Sequence, residues 1–177
     1  GRLVDLRMKD RQIIADMQGF LFDNHRWIEN DRFTNVQNGL EEKGSIRVEP
    51  IGTDGAVVVK TERKGSLADQ MIDYIVYPLG VVDMKVTIVP HTAELRRAGV
   101  SAAINREFST VEYYAMGPCE NSNDRLDGCT VGRYTTTVAD MLVPYVKPQT
   151  CGNREQLREL TLRASDGFAV TFTTDND

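Results

Sequence analysis

Apolar and polar residues alternate over several stretches of the chain, and this two-residue period predicts β-strands rather than helices. Ser45 to Ile51 alternates apolar and charged positions, and a valine-rich run returns over 56–63. The Gly-Thr-Asp-Gly segment at 52–55 lies between them, and glycine supplies the positive φ that a tight turn requires. The pattern therefore predicts a β-hairpin over residues 45–63.

A second hairpin is predicted over residues 69–89, where two alternating runs flank Pro78-Leu79-Gly80. Three further strands are predicted at 100–104, 110–116 and 167–173. Strands that carry apolar residues on one face only are typical of antiparallel sheets that cover a core with that face. The sequence predicts an all-β fold, an antiparallel β-sandwich.

Two long segments lack this alternation, residues 23–44 and residues 117–155. Loops above about 15 residues without obvious structure are uncommon in compact domains, and they are usually functional or structured by packing elsewhere. We therefore expect any functional surface of the protein to include residues from these two segments. The length fits one domain, and no linker or internal repeat divides it, so residues 1–177 are predicted to form a single domain.

Charge and composition exclude several functional classes. The net charge of −5 argues against a nucleic acid or an anionic membrane as partner, because both bind basic surfaces. No apolar run is long enough for a transmembrane helix. Three irregularly spaced cysteines and two histidines predict neither a disulfide framework nor a transition-metal site. These features are compatible with cytoplasm and periplasm alike.

The segment Gly117 to Arg125 reads Gly-Pro-Cys-Glu-Asn-Ser-Asn-Asp-Arg. It resembles a Gly-Pro-x-Glu-Asn-Tyr-x-Asp-Arg run in the C-terminal β-domain of large bacterial β-galactosidases of glycoside hydrolase family 2, with Ser122 in place of the tyrosine. Further blocks match that family in register. They are Arg97 to Val100, Asp140-Met141, Pro144 to Gln149 and Cys151 to Glu155.

A weaker match lies at residues 24–32, which resemble the family's Arg-Ala-Pro-x-Asp-Asn-Asp element after a gap of one residue. Trp27 and Ile28 replace its Ala-Pro pair. The resemblance implies that this segment and the loop after it approach the mouth of the active site in the full enzyme. The substrate-binding candidates are Arg26, Glu29, Asn30 and Asp31.

The resemblance also implies a domain architecture and the location of the catalytic carboxyl groups. In the family, a catalytic TIM barrel is followed by a β-domain called a supersandwich. This domain is galactose mutarotase-like and longer than 177 residues. We therefore expect this chain to be part of such a domain. Retaining glycosidases use two carboxyl groups, which in this family are barrel glutamates. The chain is thus expected to be a non-catalytic part of a retaining β-galactosidase, inactive alone, that helps to wall the active site.

The resemblance sets expectations for ligands and partners as well. Full enzymes of the family often use Mg and Na, but no cofactor is expected in this chain. The expected partners are the galactoside, met through the full enzyme, and the remaining enzyme domains. A homodimer is a further expectation, because a truncated sandwich exposes unpaired strands and an apolar face.

The sequence leaves two other interpretations open. A free-standing carbohydrate-binding or interaction β-sandwich is the alternative function, but such modules usually expose several aromatic rings, and this chain has one tryptophan. Sugar mutarotases use histidines, yet neither His25 nor His91 is flanked by an epimerase motif. Within the Gly117 to Arg125 segment, we expect a structural turn in which Arg125 pairs with Glu120 or Asp124.

Overall fold

A computed structural model describes residues 3–24, 44–51, 55–93, 95, 97–146 and 151–175, and none of these residues lies in an α-helix. Twelve strands are assigned within this part of the chain: β1 Arg7–Met8, β2 Arg11–Gln12, β3 Leu21–Asp23, β4 Gly44–Ile51, β5 Ala56–Arg63, β6 Ala68–Val76, β7 Val82–Pro90, β8 Gly99–Ser101, β9 Phe108–Gly117, β10 Thr130–Thr137, β11 Glu159–Ala164 and β12 Ala169–Thr173. All pairings between them are antiparallel. The all-β class is confirmed, and it is consistent with a β-sandwich.

The chain folds into two compact units. Among the described residues, the first unit runs up to Ala103 and the second begins at Ile104. The first holds the sheet β4-β5-β6-β7 and the small pairs β1-β2 and β3-β8; the second holds the sheet β10-β9-β11-β12. The organisation of residues 1–177 as one domain, and the supersandwich arrangement, stay predictions.

Both predicted hairpins are present in the first unit. β4 pairs with β5 from Gly44↔Arg63 to Ile51↔Ala56, and β6 pairs with β7 from Ala68↔Pro90 to Val76↔Val82. Gly55 has φ +78° and Gly80 has φ +84°, so each turn uses the left-handed conformation that glycine allows without strain. The positive φ predicted for glycine in these turns is confirmed at Gly55, while residues 52–54 of the same turn lie outside the described residues.

One face of the first unit's large sheet carries a row of opposed side chains. Partners opposed across antiparallel strands point to the same side, and the register aligns Thr61, Ile72 and Val86 in one such row. At one end of this face the buried Phe22 and Ala68 pack with Ile88 and Leu95. These contacts form the core that the alternation of β6 and β7 predicted.

The second unit's sheet is also amphipathic. Its apolar face carries the buried Val111, Tyr113 and Ala115 of β9. Packed against them are Tyr134, Met141, Leu157, Leu160 and Leu162. The opposite face carries the charged side chains of the strands, because they alternate with the core positions.

Sequence patterning missed two strands of this unit. β10 lies inside the segment 117–155, in which alternation predicts no strand, and β11 is also not predicted. β10 reads Thr-Val-Gly-Arg-Tyr-Thr-Thr-Thr, and every residue of it is half-buried or exposed. Its pairing with β9 is set by backbone hydrogen bonds and not by an apolar repeat, so hydrophobic alternation could not reveal it. In the first unit, the strand predicted over residues 100–104 is shorter than expected, because β8 ends at Ser101.

Gly117, the last residue of β9, packs tightly, whereas Gly99 of β8 does not. A Cβ on Gly117 would lie 2.8 Å from two ring carbons of Tyr134, while nothing lies within 4 Å of the equivalent position on Gly99. We expect Gly117→Ala to lower the free energy of unfolding by about 1–3 kcal/mol through overpacking. Gly99→Ala is the matched control and should change it by less than about 0.5 kcal/mol. If urea unfolding showed the same loss of stability for both variants, the crowding at Gly117 would be contradicted.

Candidate functional site

Asn121 connects two segments that are distant in the sequence. We call the set formed by residues 117–125, Tyr145 and residues 151–155 the loop junction. Asn121 is 1% exposed. Its Nδ2 donates to the carbonyls of Met116 at 2.9 Å and Cys119 at 3.0 Å, and its Oδ1 accepts from the Glu155 amide at 2.7 Å. All the hydrogen-bonding groups of this amide side chain therefore bind backbone.

Asn153 completes the same connection from the other segment. Its Nδ2 donates to the Asn121 carbonyl at 2.8 Å, and its own carbonyl accepts from the Asn121 amide at 3.1 Å. Two asparagines thus exchange side-chain and backbone bonds across 32 residues of sequence. Because buried polar groups are costly to leave unpaired, this exchange fixes the position of one segment against the other.

Glu120 and Arg125 are linked through Tyr145. The Arg125 guanidinium donates to the Tyr145 hydroxyl at 2.7 Å, and that hydroxyl donates to Glu120 Oε1 at 2.6 Å. The Gly152 amide donates to the other carboxylate oxygen. The expected turn is present, but the expected direct pairing of Arg125 with Glu120 or Asp124 is corrected: Arg125 reaches Glu120 through a hydroxyl, and Asp124 accepts from Ser122.

A cavity of about 220 Å³ lies beside the loop junction. Met141, Leu157 and Leu160 contribute apolar walls, and Asn153 and Arg154 contribute polar ones. The Arg154 guanidinium lies 5.3 Å from the ring centroid of Tyr113, and its Nε donates to the Tyr113 hydroxyl at 3.1 Å. The polar groups at this cavity are therefore already engaged within the chain.

Two carboxylates on the charged face of the second sheet are held by arginines. Arg163 binds Glu112 through two bonds of 2.8 and 3.0 Å, and Arg133 binds Glu159 through bonds of 2.8 and 3.1 Å. The hydrogen bond from each arginine lowers the pKa of its carboxyl partner. A general acid for glycoside hydrolysis needs the opposite, a raised pKa.

The substrate-binding residues expected from the sequence lie outside the described residues. This holds for Arg26, Glu29, Asn30 and Asp31, and also for His25 and Trp27. Their role stays a prediction. The other histidine, His91, is exposed at the end of β7, and its Nε2 lies 3.4 Å from Asp69 Oδ1. This position is typical of a surface residue at a turn.

Within the described ranges, no three or more His, Cys, Asp or Glu side chains cluster where they could hold a metal ion. The expectation of no cofactor in this chain stays a prediction. The same ranges contain no helix that is long and apolar enough to cross a membrane.

Comparison with known proteins identifies the relatives of this chain. Residues 1–176 match the family described as β-galactosidase small chain. A β-galactosidase of Priestia megaterium is 27% identical over 124 residues, which are 69% of this chain and 12% of that protein. One from Streptococcus thermophilus is 36% identical over 78 residues, 44% of this chain and 8% of that protein. The chain spans about a tenth of the length of the curated relatives it matches.

Proposed function

We infer the function from the family: the chain belongs to the β-galactosidase small-chain family, and we propose that it is a non-catalytic β-sandwich portion of a retaining β-galactosidase of glycoside hydrolase family 2. The observation that carries the proposal is the family match over residues 1–176, in a chain whose aligned part covers about a tenth of its β-galactosidase relatives. The full enzyme would hydrolyse terminal β-galactosides with carboxyl groups carried elsewhere.

The bonding of the described carboxylates supports a non-catalytic role. Hydrolysis with retention needs a nucleophile and an acid/base carboxyl about 5 Å apart, with the pKa of the acid raised. Glu120 instead accepts bonds from Tyr145 and Gly152, and arginines hold Glu112 and Glu159 in their charged form. These groups are bonded for structure.

The loop junction supports a scaffold role for the second unit. Its amides, carboxylate and guanidinium bind one another and the backbone, so they hold residues 117–125 and 151–155 in place. Segments fixed in this way suit a wall that supports a substrate site better than a surface that itself binds sugar. We propose that Arg26, Glu29, Asn30 and Asp31 form the part that approaches the galactoside.

The accessibility of the aromatic rings argues against the alternative of a free-standing sugar-binding module. Such modules present exposed rings as stacking platforms. In the part of the chain that the structure describes, every tyrosine and phenylalanine is buried or half-buried; Tyr74 and Tyr113 are each only 4% exposed. The enzyme-domain proposal is therefore favoured.

The proposed partners are the remaining domains of the enzyme and a second copy of the chain. Apolar side chains support self-association: Ile46 is 61% exposed and Val48 is 62% exposed on the apolar side of the first sheet. Exposed apolar surface of this kind is common at interfaces. A homodimer stays a prediction.

Alanine variants of the mouth segment test the proposed wall. In the full-length enzyme, we expect Glu29→Ala, Asn30→Ala and Asp31→Ala each to lower kcat/KM roughly tenfold, because each removes a polar contact near the substrate. The melting temperature should stay at the wild-type value. Steady-state kinetics with a chromogenic galactoside provide the measurement.

Asn123→Ala is the matched control for these variants, since Asn123 is exposed on another loop and should leave both quantities unchanged. Wild-type kinetics combined with a lower melting temperature would show that the mouth segment is purely structural and would refute the proposed wall.

A further inference from the structure

Cys119 and Cys129 lie side by side, although ten residues separate them in the sequence. Their Sγ atoms are 2.9 Å apart, and both cysteines are free thiols. A covalent S–S bond measures about 2.05 Å. A movement of about 1 Å would therefore bring the two sulfurs to bonding distance.

The backbone around both cysteines is anchored. β9 ends at Gly117 and β10 begins at Thr130, and these two residues are paired. Cys129 comes directly before this pair on one strand, and Cys119 follows two residues after it on the other. The Cys119 carbonyl accepts from the buried Asn121 side chain, and the Cys129 amide donates to Leu126 at 3.1 Å. The thiols thus meet at the base of the 118–129 loop.

We propose that Cys119 and Cys129 form a reversible disulfide that closes the base of the 118–129 loop. The oxidant is a low-molecular-weight disulfide such as oxidised glutathione. The Cys119 thiolate attacks one glutathione sulfur and releases the other as a thiolate, and the Cys129 thiolate then attacks Cys119 Sγ and releases the second. Two cysteine thiols lose two electrons and two protons, and one glutathione disulfide becomes two glutathione thiols.

The accessibility of the two thiols sets this order. Cys119 is exposed, whereas Cys129 is half-buried, so the oxidant meets Cys119 first. The hydrogen bond with Cys119 raises the pKa of the Cys129 thiol, which disfavours the Cys129 thiolate as the first attacking group. Cys129 then acts as the resolving thiol. The third cysteine, Cys151, is half-buried on a different segment and takes no part.

The disulfide would connect redox state to the loop junction. The closed loop contains Glu120, Asn121 and Arg125, which carry the bonds to Tyr145 and to residues 151–155. Cross-linking its base restricts opening of the loop, so we expect amide hydrogen exchange within residues 120–128 to slow by roughly tenfold or more on oxidation.

The test uses the full-length protein, equilibrated in buffers of graded reduced-to-oxidised glutathione ratio. Free thiols are alkylated and the peptides are mapped by mass spectrometry. We expect a Cys119–Cys129 disulfide that appears as the buffer becomes oxidising and disappears on addition of reductant. Cys151→Ser is the matched control and should retain it; Cys119→Ser and Cys129→Ser should abolish it and leave a glutathione adduct on the remaining thiol.

Three results would overturn the proposal: stable glutathione adducts on both cysteines, a bridge from either one to Cys151, or free thiols across the whole range. Because the wild-type protein alone distinguishes these outcomes, the test does not depend on the folding of the serine variants. Hydrogen exchange that is equal in the two redox states would overturn the link to the loop.

Discussion

Asn121→Ala should lower the free energy of unfolding by about 2–4 kcal/mol, the largest stability effect that we expect from one substitution in this chain. The Asn121 side chain is buried and donates to the Met116 and Cys119 carbonyls while it accepts from the Glu155 amide. Alanine removes all three bonds at once. The backbone groups that lose their partner would remain partly shielded from water, which makes the loss costly.

Two further variants make this prediction specific. Asn123→Ala, on the exposed side of the same loop, is the control and should change stability by less than about 0.5 kcal/mol. Asn121→Asp keeps the acceptor for Glu155 but points carboxylate oxygen at two carbonyls, so it should destabilise at least as much as alanine. Urea unfolding followed by circular dichroism measures all three. Equal effects of Asn121→Ala and Asn123→Ala would contradict the loop junction.

The parts of the fold that the sequence predicts are those in which a side-chain pattern and a turn residue agree. Both hairpins of the first unit have alternating strands, and Gly55 and Gly80 provide the positive φ between them. β10 has no such support, because its threonines and its glycine carry no apolar repeat. Its place follows from backbone pairing with β9, a non-local interaction that alternation within one segment does not contain.

The candidate site was predictable in composition but not in geometry. Sequence resemblance singled out the blocks at 117–125, 144–149 and 151–155, and the structure brings Glu120, Tyr145 and Gly152 from these three blocks into contact. Proximity along the chain suggested instead that Arg125 pairs directly with its acidic neighbours. The hydroxyl that it binds comes from Tyr145, 20 residues away, and only the folded chain reveals such a partner.

The isolated chain should not hydrolyse β-galactosides, and this is the largest functional effect that we expect. Glycosidases gain most of their rate from two carboxyl groups of opposed protonation state placed on either side of the scissile bond. The described carboxylates Glu112 and Glu159 have lowered pKa values because of their arginine partners, and Glu120 is bonded to Tyr145 and Gly152. The lowered pKa values of Glu112 and Glu159 are the opposite of what a general acid needs.

One measurement tests the assignment of this chain as a non-catalytic part of a β-galactosidase most directly: the rate at which the purified 177-residue chain hydrolyses a chromogenic β-galactoside, compared with the full-length enzyme at equal molar concentration. We expect the full-length enzyme to turn over the substrate and the chain to match the buffer blank, a difference of at least about 10⁴-fold. Turnover by the chain that disappears when one of its own carboxylates is replaced, as in Glu120→Gln, would contradict the assignment.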